Sequence, residues 1–239
     1  MDLGGHNNRN NLEFGSIKYL QNKFNIKSII DIGCGPGDMK KNCEQLNIKY
    51  LGIEGDKNII KDKNYIREHD FKYPYLGEEE YDFGYSTEFL EHVEEQYMDN
   101  YMKVFQNCKY VLITAAPPMW PGHHHINCQD HKYWLQKFNK YGFILDCYNT
   151  LQIRNKSTMN KNRGNHKKFI QHRGLFFINT KYNKINLIDS IPNKIEENKF
   201  YKNNKYIEFI ISKWNTNKVS NTNNHLFVSS LPLISLYKI

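Results

Sequence analysis

Apolar positions fall at helical spacing over residues 12–24, where Leu12, Phe14, Ile17, Tyr19, Leu20 and Phe24 predict a helix. Lys27 to Ile32 is a short apolar run that ends in a glycine turn, the pattern of a buried strand. From there strand-like and helix-like stretches alternate. Strands are expected near 28–32, 49–53, 65–68, 81–86, 109–115, 143–151 and 174–180, and helices near 38–46, 56–62, 88–107 and 130–141. Such alternation predicts an α/β fold built on a doubly wound sheet. The aromatics Tyr133, Trp134, Phe138, Tyr141 and Phe143 follow helical spacing into a strand, so they read as core.

The pattern lapses in three places. Residues 1–11 read as a flexible lead. Residues 153–173 have little periodicity and carry Arg154, Lys156, Lys161, Arg163, Lys167, Lys168 and Arg173, with His166 and His172. They read as a long basic loop, either a solvated charge run or a surface for an anionic acceptor. After about 185 the alternation stops. A helix is expected at 195–213, a low-complexity loop at 215–225, and the apolar stretch Leu226 to Ile239 is expected to pack back on the domain. The chain therefore divides into a domain at 1–184 and a C-terminal extension at 185–239 with no assigned role. No internal repeat is present.

Composition changes this picture little. The 239 residues, 39% of them hydrophobic and 14% aromatic, supply a real core for one α/β domain despite a mean hydropathy of −0.74. The net charge of +8 raises the prospect of a polyanionic partner, although a solvated Lys surface produces the same excess without one. The five cysteines (Cys34, Cys43, Cys108, Cys128 and Cys147) form no C-x-x-C pair, which argues against a zinc cluster and suits reduced thiols. The N-terminus is polar and no apolar run reaches the ~18 residues a membrane helix needs, so a cytoplasmic location is expected, with no membrane partner.

The chemistry begins at Asp31-Ile32-Gly33-Cys34-Gly35-Pro36-Gly37. Glycines let a backbone bend sharply and approach a ligand with no Cβ in the way. The dinucleotide fingerprint requires a third glycine at the sixth place of G-x-G-x-x-G, and Asp38 stands there. About 20 residues on, the apolar run Tyr50 to Ile53 ends in Glu54, a carboxylate placed to accept from both hydroxyls of a ribose.

This G-x-G-x-G entered by an acid resembles motif I of the class I S-adenosylmethionine (SAM) dependent methyltransferases. The resemblance continues, in order and spacing, through Arg67-Glu68-His69-Asp70-Phe71 and through Tyr81 to Val93, which is similar to the family's fourth-strand motif D-x-x-x-S-x-E-x-L-E-H-V. It implies a seven-stranded Rossmann-like sheet whose last strand is antiparallel, and SAM as the cofactor. It places Asp31 near the methionine part of SAM, Glu54 on the ribose, Asp70 on the adenine amino group, and Gly33, Gly35, Gly37 and Ser86 on the cofactor side. Gly4-Gly5-His6-Asn7, Leu51 to Asp56 and Gly122 to Gln129 further resemble methyltransferases of phages and bacterial glycan gene clusters, over a match reaching about residue 180.

A sugar hydroxyl keeps its proton far above neutral pH, so its methylation needs a base or a metal. Glu88, Glu91 and His92 are spaced i, i+3, i+4 and would share one face of the expected helix. Two carboxylates and an imidazole suit Mg²⁺ or Mn²⁺. The E-x-x-E-H pattern resembles that of small-RNA 3′-end 2′-O-methyltransferases and ubiquinone-pathway O-methyltransferases, where it binds a divalent metal; it also occurs in enzymes of the superfamily not known to use one. After the fifth strand, the stretch Thr114 to His125 offers Trp120 as a flat apolar face and three histidines. His124 and His125 are the candidate catalytic residues, as a general base or as the completion of the metal site. The bland alternative makes them surface or helix-capping groups. The leading expectation is a SAM-dependent O-methyltransferase acting on a sugar hydroxyl of a glycan or nucleotide-sugar. The alternatives are an RNA ribose 2′-O-methyltransferase and a non-catalytic SAM-binding partner subunit.

Overall fold

Strand β1 (Ser28–Ile32) is buried along four of its five residues. A strand with both faces covered by helices reads as such a continuous apolar run. In the computed structural model, which describes residues 11–160 and 167–183, β1 lies near the middle of a seven-stranded sheet. The other strands are β2 (Lys49–Glu54), β3 (Ile66–Glu68), β4 (Tyr81–Thr87), β5 (Cys108–Thr114), β6 (Phe143–Leu145) and β7 (Leu175–Asn179). Their order is β3-β2-β1-β4-β5-β7-β6. Neighbours from β3 to β5 pair in parallel, and β7 runs antiparallel to both β5 and β6. This is the doubly wound α/β sheet with an antiparallel last strand that the sequence led us to expect. The order reverses between β1 and β4, so a crevice opens at their carboxyl ends, where ligands bind in open α/β sheets.

Side chains alternate across the sheet and split the core in two. Ile29, Leu112, Phe176 and Ile178 face one layer, where they meet helices α1 (Gly15–Phe24), α2 (Met39–Gln45), α5 (Cys147–Lys156) and α6 (Phe169–Arg173). Ile30, Ile113, Leu175 and Phe177 face the other, against α3 (Met98–Gln106) and α4 (His131–Lys140). Trp134, Phe138 and Phe143 are core as expected, and Phe138 stacks on Phe177 at 4.3 Å between ring centroids.

Four local expectations are corrected. The strand expected at 143–151 stops at Leu145, because the Asp146 side chain accepts from the Asn149 amide and caps the start of α5. Part of the presumed loop 153–173 is therefore helix, in α5 and α6. Residues 56–62 form turns instead of a helix: Asp56 and Asp62 accept from the amides two residues on, and such local bonds compete with helical ones. The helix expected over 88–107 begins only at Met98. Glu88 adopts a left-handed φ of +54°, Leu90–His92 and Glu95–Tyr97 are single 3₁₀ turns, and Val93 is extended between them. The flexible lead at 1–10, the middle of the basic segment at 161–166, and the elements expected after residue 184 lie outside the described residues.

Candidate cofactor cleft and acceptor site

The glycine turn closes over the end of β2. The amides of Gly33 and Cys34 both donate to the Ile53 carbonyl, at 2.9 and 3.1 Å. Gly33, Gly35 and Gly37 all have positive φ, from 57° to 76°, a region where side chains are strained. At Gly33 a Cβ would also lie 2.5 Å from the Phe89 ring. The Glu54 carboxylate braces the turn: Oε2 accepts from the Gly35 amide at 2.8 Å and Oε1 from the Asp56 amide at 2.9 Å.

A cleft of about 640 Å³, counting its open mouth, lies at the carboxyl ends of β1 to β4. Gly33, Glu54, Asp70, Glu88, Phe89 and His92 line it. Asp70 accepts from the Lys72 amide at 2.9 Å, which fixes its carboxylate at the cleft wall. The other expected cofactor residues sit behind that wall. Asp31 is 3% exposed and accepts from the Tyr50 hydroxyl at 2.9 Å. Burial pushes its carboxyl up to about 7; the Tyr50 bond opposes this and the nearby Glu54 charge adds to it. Ser86 is fully buried, and its hydroxyl donates to the Ile32 carbonyl, tying β4 to β1 just below the turn.

The metal and base candidates come from two chain segments. The Glu91 carbonyl accepts from the Ile126 and Asn127 amides, at 3.0 and 2.9 Å, so the loop after β5 is sewn onto the turn after β4. This brings Glu91, His92 and His125 together, with one potential ligand atom from each lying within 4.8 Å of the others. The rings of His92 and His125 meet edge-on at 4.9 Å. Each points Nδ1 at a carbonyl, His92 at that of His124 (3.2 Å) and His125 at that of Trp120 (3.0 Å). A carbonyl only accepts, so a hydrogen bond at either place puts the donor proton on Nδ1, and in a neutral ring Nε2 is then the nitrogen with the lone pair. Histidines that hold metals are oriented in this way by their second nitrogen.

Glu91 is fully buried, and neither carboxylate oxygen has a well-formed hydrogen bond among the described residues. Burial first, and the neighbouring Glu88 carboxylate second, raise its pKa well above the usual range, and the amides of Glu91 and Ala116 offset this only in part. A buried carboxylate without donors is costly in its charged form. A cation beside it reverses that cost. The donor set of one carboxylate and two imidazoles therefore fits a divalent ion.

Glu88 and His124 take other places. The Glu88 carboxylate accepts from the Thr114 hydroxyl at 2.8 Å and pairs through both oxygens with Nε and Nη2 of Arg173. It is outside the cluster of potential ligand atoms. His124 has a φ of +51° and contributes its carbonyl to His92, while its exposed ring meets His123 edge-on. In the sequence Arg173 is only one charge of the basic segment 153–173, with no place in the E-x-x-E-H site. It lies between the rings of Trp120 and Phe169, 4.9 and 4.8 Å from their centroids. No local signal marks it, because its ion-pair partner is 85 positions away.

No protein-family model matches the chain, and no curated protein matches it. Solved structures with a similar chain path include a SAM-dependent methyltransferase from Archaeoglobus fulgidus, 16% identical over 53% of this chain and 67% of that one, with a TM-score of 0.42. The methyltransferase domain of bacterial CtHen1 is 15% identical over 70% of this chain and 96% of its own, with a TM-score of 0.48. Magnesium protoporphyrin IX methyltransferase from Synechocystis PCC 6803, with bound SAH, is 13% identical over 68% of this chain and 80% of its own, with a TM-score of 0.48.

Proposed function

We propose that this chain is a SAM-dependent O-methyltransferase whose acceptor is a sugar hydroxyl of a glycan or nucleotide-sugar. The observation that carries the reading is the place of His92. It lines the cleft that holds Gly33, Glu54 and Asp70, and it also belongs to the Glu91–His92–His125 cluster. A methyl donor in the cleft and a hydroxyl at the cluster would therefore be neighbours, and alignment is most of what in-line methyl transfer asks of an enzyme.

The cleft residues divide the work of holding the cofactor. Glu54 meets the ribose hydroxyls, Asp70 the adenine, and the glycine turn gives the backbone close approach. Asp31, beneath the turn, sets a carboxylate near the cationic end. SAM supplies an electrophilic methyl group on a positively charged sulfur. The acceptor oxygen forms its bond to that carbon as the carbon–sulfur bond breaks, and the electron pair returns to sulfur as a neutral thioether. Nε2 of His125 or His92 takes the hydroxyl proton, each imidazole being held in the accepting tautomer by the carbonyl at Nδ1. A divalent cation on Glu91, His92 and His125 would instead lower the acceptor's pKa directly. Trp120 offers the acceptor a flat apolar face beside His125.

A ribose 2′-hydroxyl of RNA is the second reading, favoured by the net charge of +8. The test is transfer of a labelled methyl group from SAM to panels of nucleotide-sugars, glycans and RNA, each with and without EDTA. Transfer to a sugar panel supports the first reading. Transfer confined to RNA, with steeply salt-dependent binding, replaces it by the second. SAM binding without transfer to any panel would instead support a non-catalytic subunit that acts with a partner.

A further inference from the structure

The sequence offers two carboxylates to one cation site, and the structure separates them. Glu88 lines the same cleft as His92. Of the two carboxylates, Glu91 is the one that offers an oxygen to the cluster with His92 and His125. Glu88 is instead held by two groups: the Thr114 hydroxyl on β5, and the Arg173 guanidinium at the end of α6, which grips both carboxylate oxygens. The side chains of this pair are 8% and 13% exposed, so water screens it little. The guanidinium is in turn fixed in place by the rings of Trp120 and Phe169. Trp120 also orients His125 through its carbonyl. One arginine thus touches both the carboxylate left out of the cluster and the loop that brings in its last ligand.

We propose that Arg173 is a positioning residue that holds Glu88 out of the cation site, so that a divalent ion has three protein ligands, Glu91, His92 and His125. The inference rests on the metal form of the proposed function. Its physical consequence is a count of charge. A divalent ion facing one carboxylate and two neutral imidazoles keeps a net positive charge, and that charge favours loss of a proton from a neutral hydroxyl. A second carboxylate would cancel it. Mg²⁺ and Mn²⁺ prefer six ligands, so three protein donors also leave positions open for the acceptor and water.

The experiment is Mn²⁺ binding to the whole chain, read from the loss of the free-ion electron paramagnetic resonance signal. Glu91→Gln should raise the dissociation constant at least about tenfold, and Glu88→Gln should leave it within about twofold of the parent. Arg173→Met releases Glu88 as an added anionic ligand and should tighten binding at least about threefold, a gain that Arg173→Met with Glu88→Gln abolishes. A purely structural role for Arg173 predicts loosening in both. Thermal melts of each variant report folding; should Arg173→Met fail to fold, the Glu88→Gln arm decides. If Glu88→Gln weakens binding as much as Glu91→Gln, Glu88 is a ligand, and this inference fails while the metal reading stands. If folded Arg173→Met does not tighten binding, Arg173 is not what withholds Glu88. If the parent chain binds no Mn²⁺, the metal reading itself falls and takes the inference with it.

Discussion

The amide of Gly35 donates to Oε2 of Glu54 at 2.8 Å, so the carboxylate proposed to meet the cofactor ribose also holds the glycine turn in shape. Glu54→Ala should therefore weaken SAM binding by ~1–3 kcal/mol, the scale for hydrogen bonds to a charged group, and should loosen the turn as well. Calorimetric titration with SAM and with its demethylated product measures the first effect. Unchanged affinity would remove Glu54 from the ribose site and turn attention to the neighbouring Asp56. Gly35→Val, at a φ of +57°, should abolish binding altogether.

Asp31 makes the free chain sensitive to pH. Its folded-state pKa is raised from 3.8 to about 7, chiefly by burial. A raised carboxyl contributes stability that is fully present below pH 3.8 and is lost as pH rises through about 7. Asp31→Asn should therefore flatten the fall in melting temperature over that window. A cationic cofactor near Asp31 favours the ionised form, so SAM binding at pH 6 should release a proton. Titration in buffers of different ionisation enthalpy reads that proton directly, and zero release would separate Asp31 from the cofactor.

His92, His124 and His125 should not be equivalent. His125→Ala and His92→Ala should each lower turnover at least ~100-fold, the low end for a general acid–base group, with SAM affinity retained for His125→Ala. His124 acts through its carbonyl, which an alanine keeps, so His124→Ala should have a much smaller effect. EDTA divides the mechanisms: loss of activity restored by Mg²⁺ or Mn²⁺ indicates the metal form, and indifference indicates a histidine base. Full turnover in His125→Ala and His92→Ala would point to an acceptor that needs no activation, such as an amine.

Gly33→Ala tests the wall between the turn and the cleft. The added Cβ would lie 2.5–2.6 Å from atoms of Phe89, at a φ of +71°. A loss of at least ~2 kcal/mol is expected, or roughly 4–8 °C in a melt of a chain this size. Phe89→Leu on the same background should recover part of it. A variant as stable as the parent would mean that Phe89 moves aside at little cost.

Sequence patterning alone determined the fold class, because a sheet covered on both faces requires apolar runs separated by amphipathic helices. It also determined that Gly33, Glu54 and Asp70, each at a strand's carboxyl end with a spacing set by strand and turn lengths, line one cleft. The Glu91–His92–His125 cluster was only partly legible. Glu88, Glu91 and His92 have helical spacing, and that spacing predicts a shared face only if the backbone is helical; the left-handed Glu88 and the extended Val93 break it. The strand expected through residue 151 failed for a similar reason, since the Asp146 cap overrides the apolar character of residues 147–151. Tertiary structure decided which histidine turns inward, because that depends on the Ile126 and Asn127 amides docking on Glu91. It alone decided the fate of Glu88, since Arg173 arrives from a distant helix and is in sequence only one charge of the basic segment 153–173. Patterns of short period fix local backbone and strand ends, but the partner of a buried charge is set by packing between segments far apart in the chain.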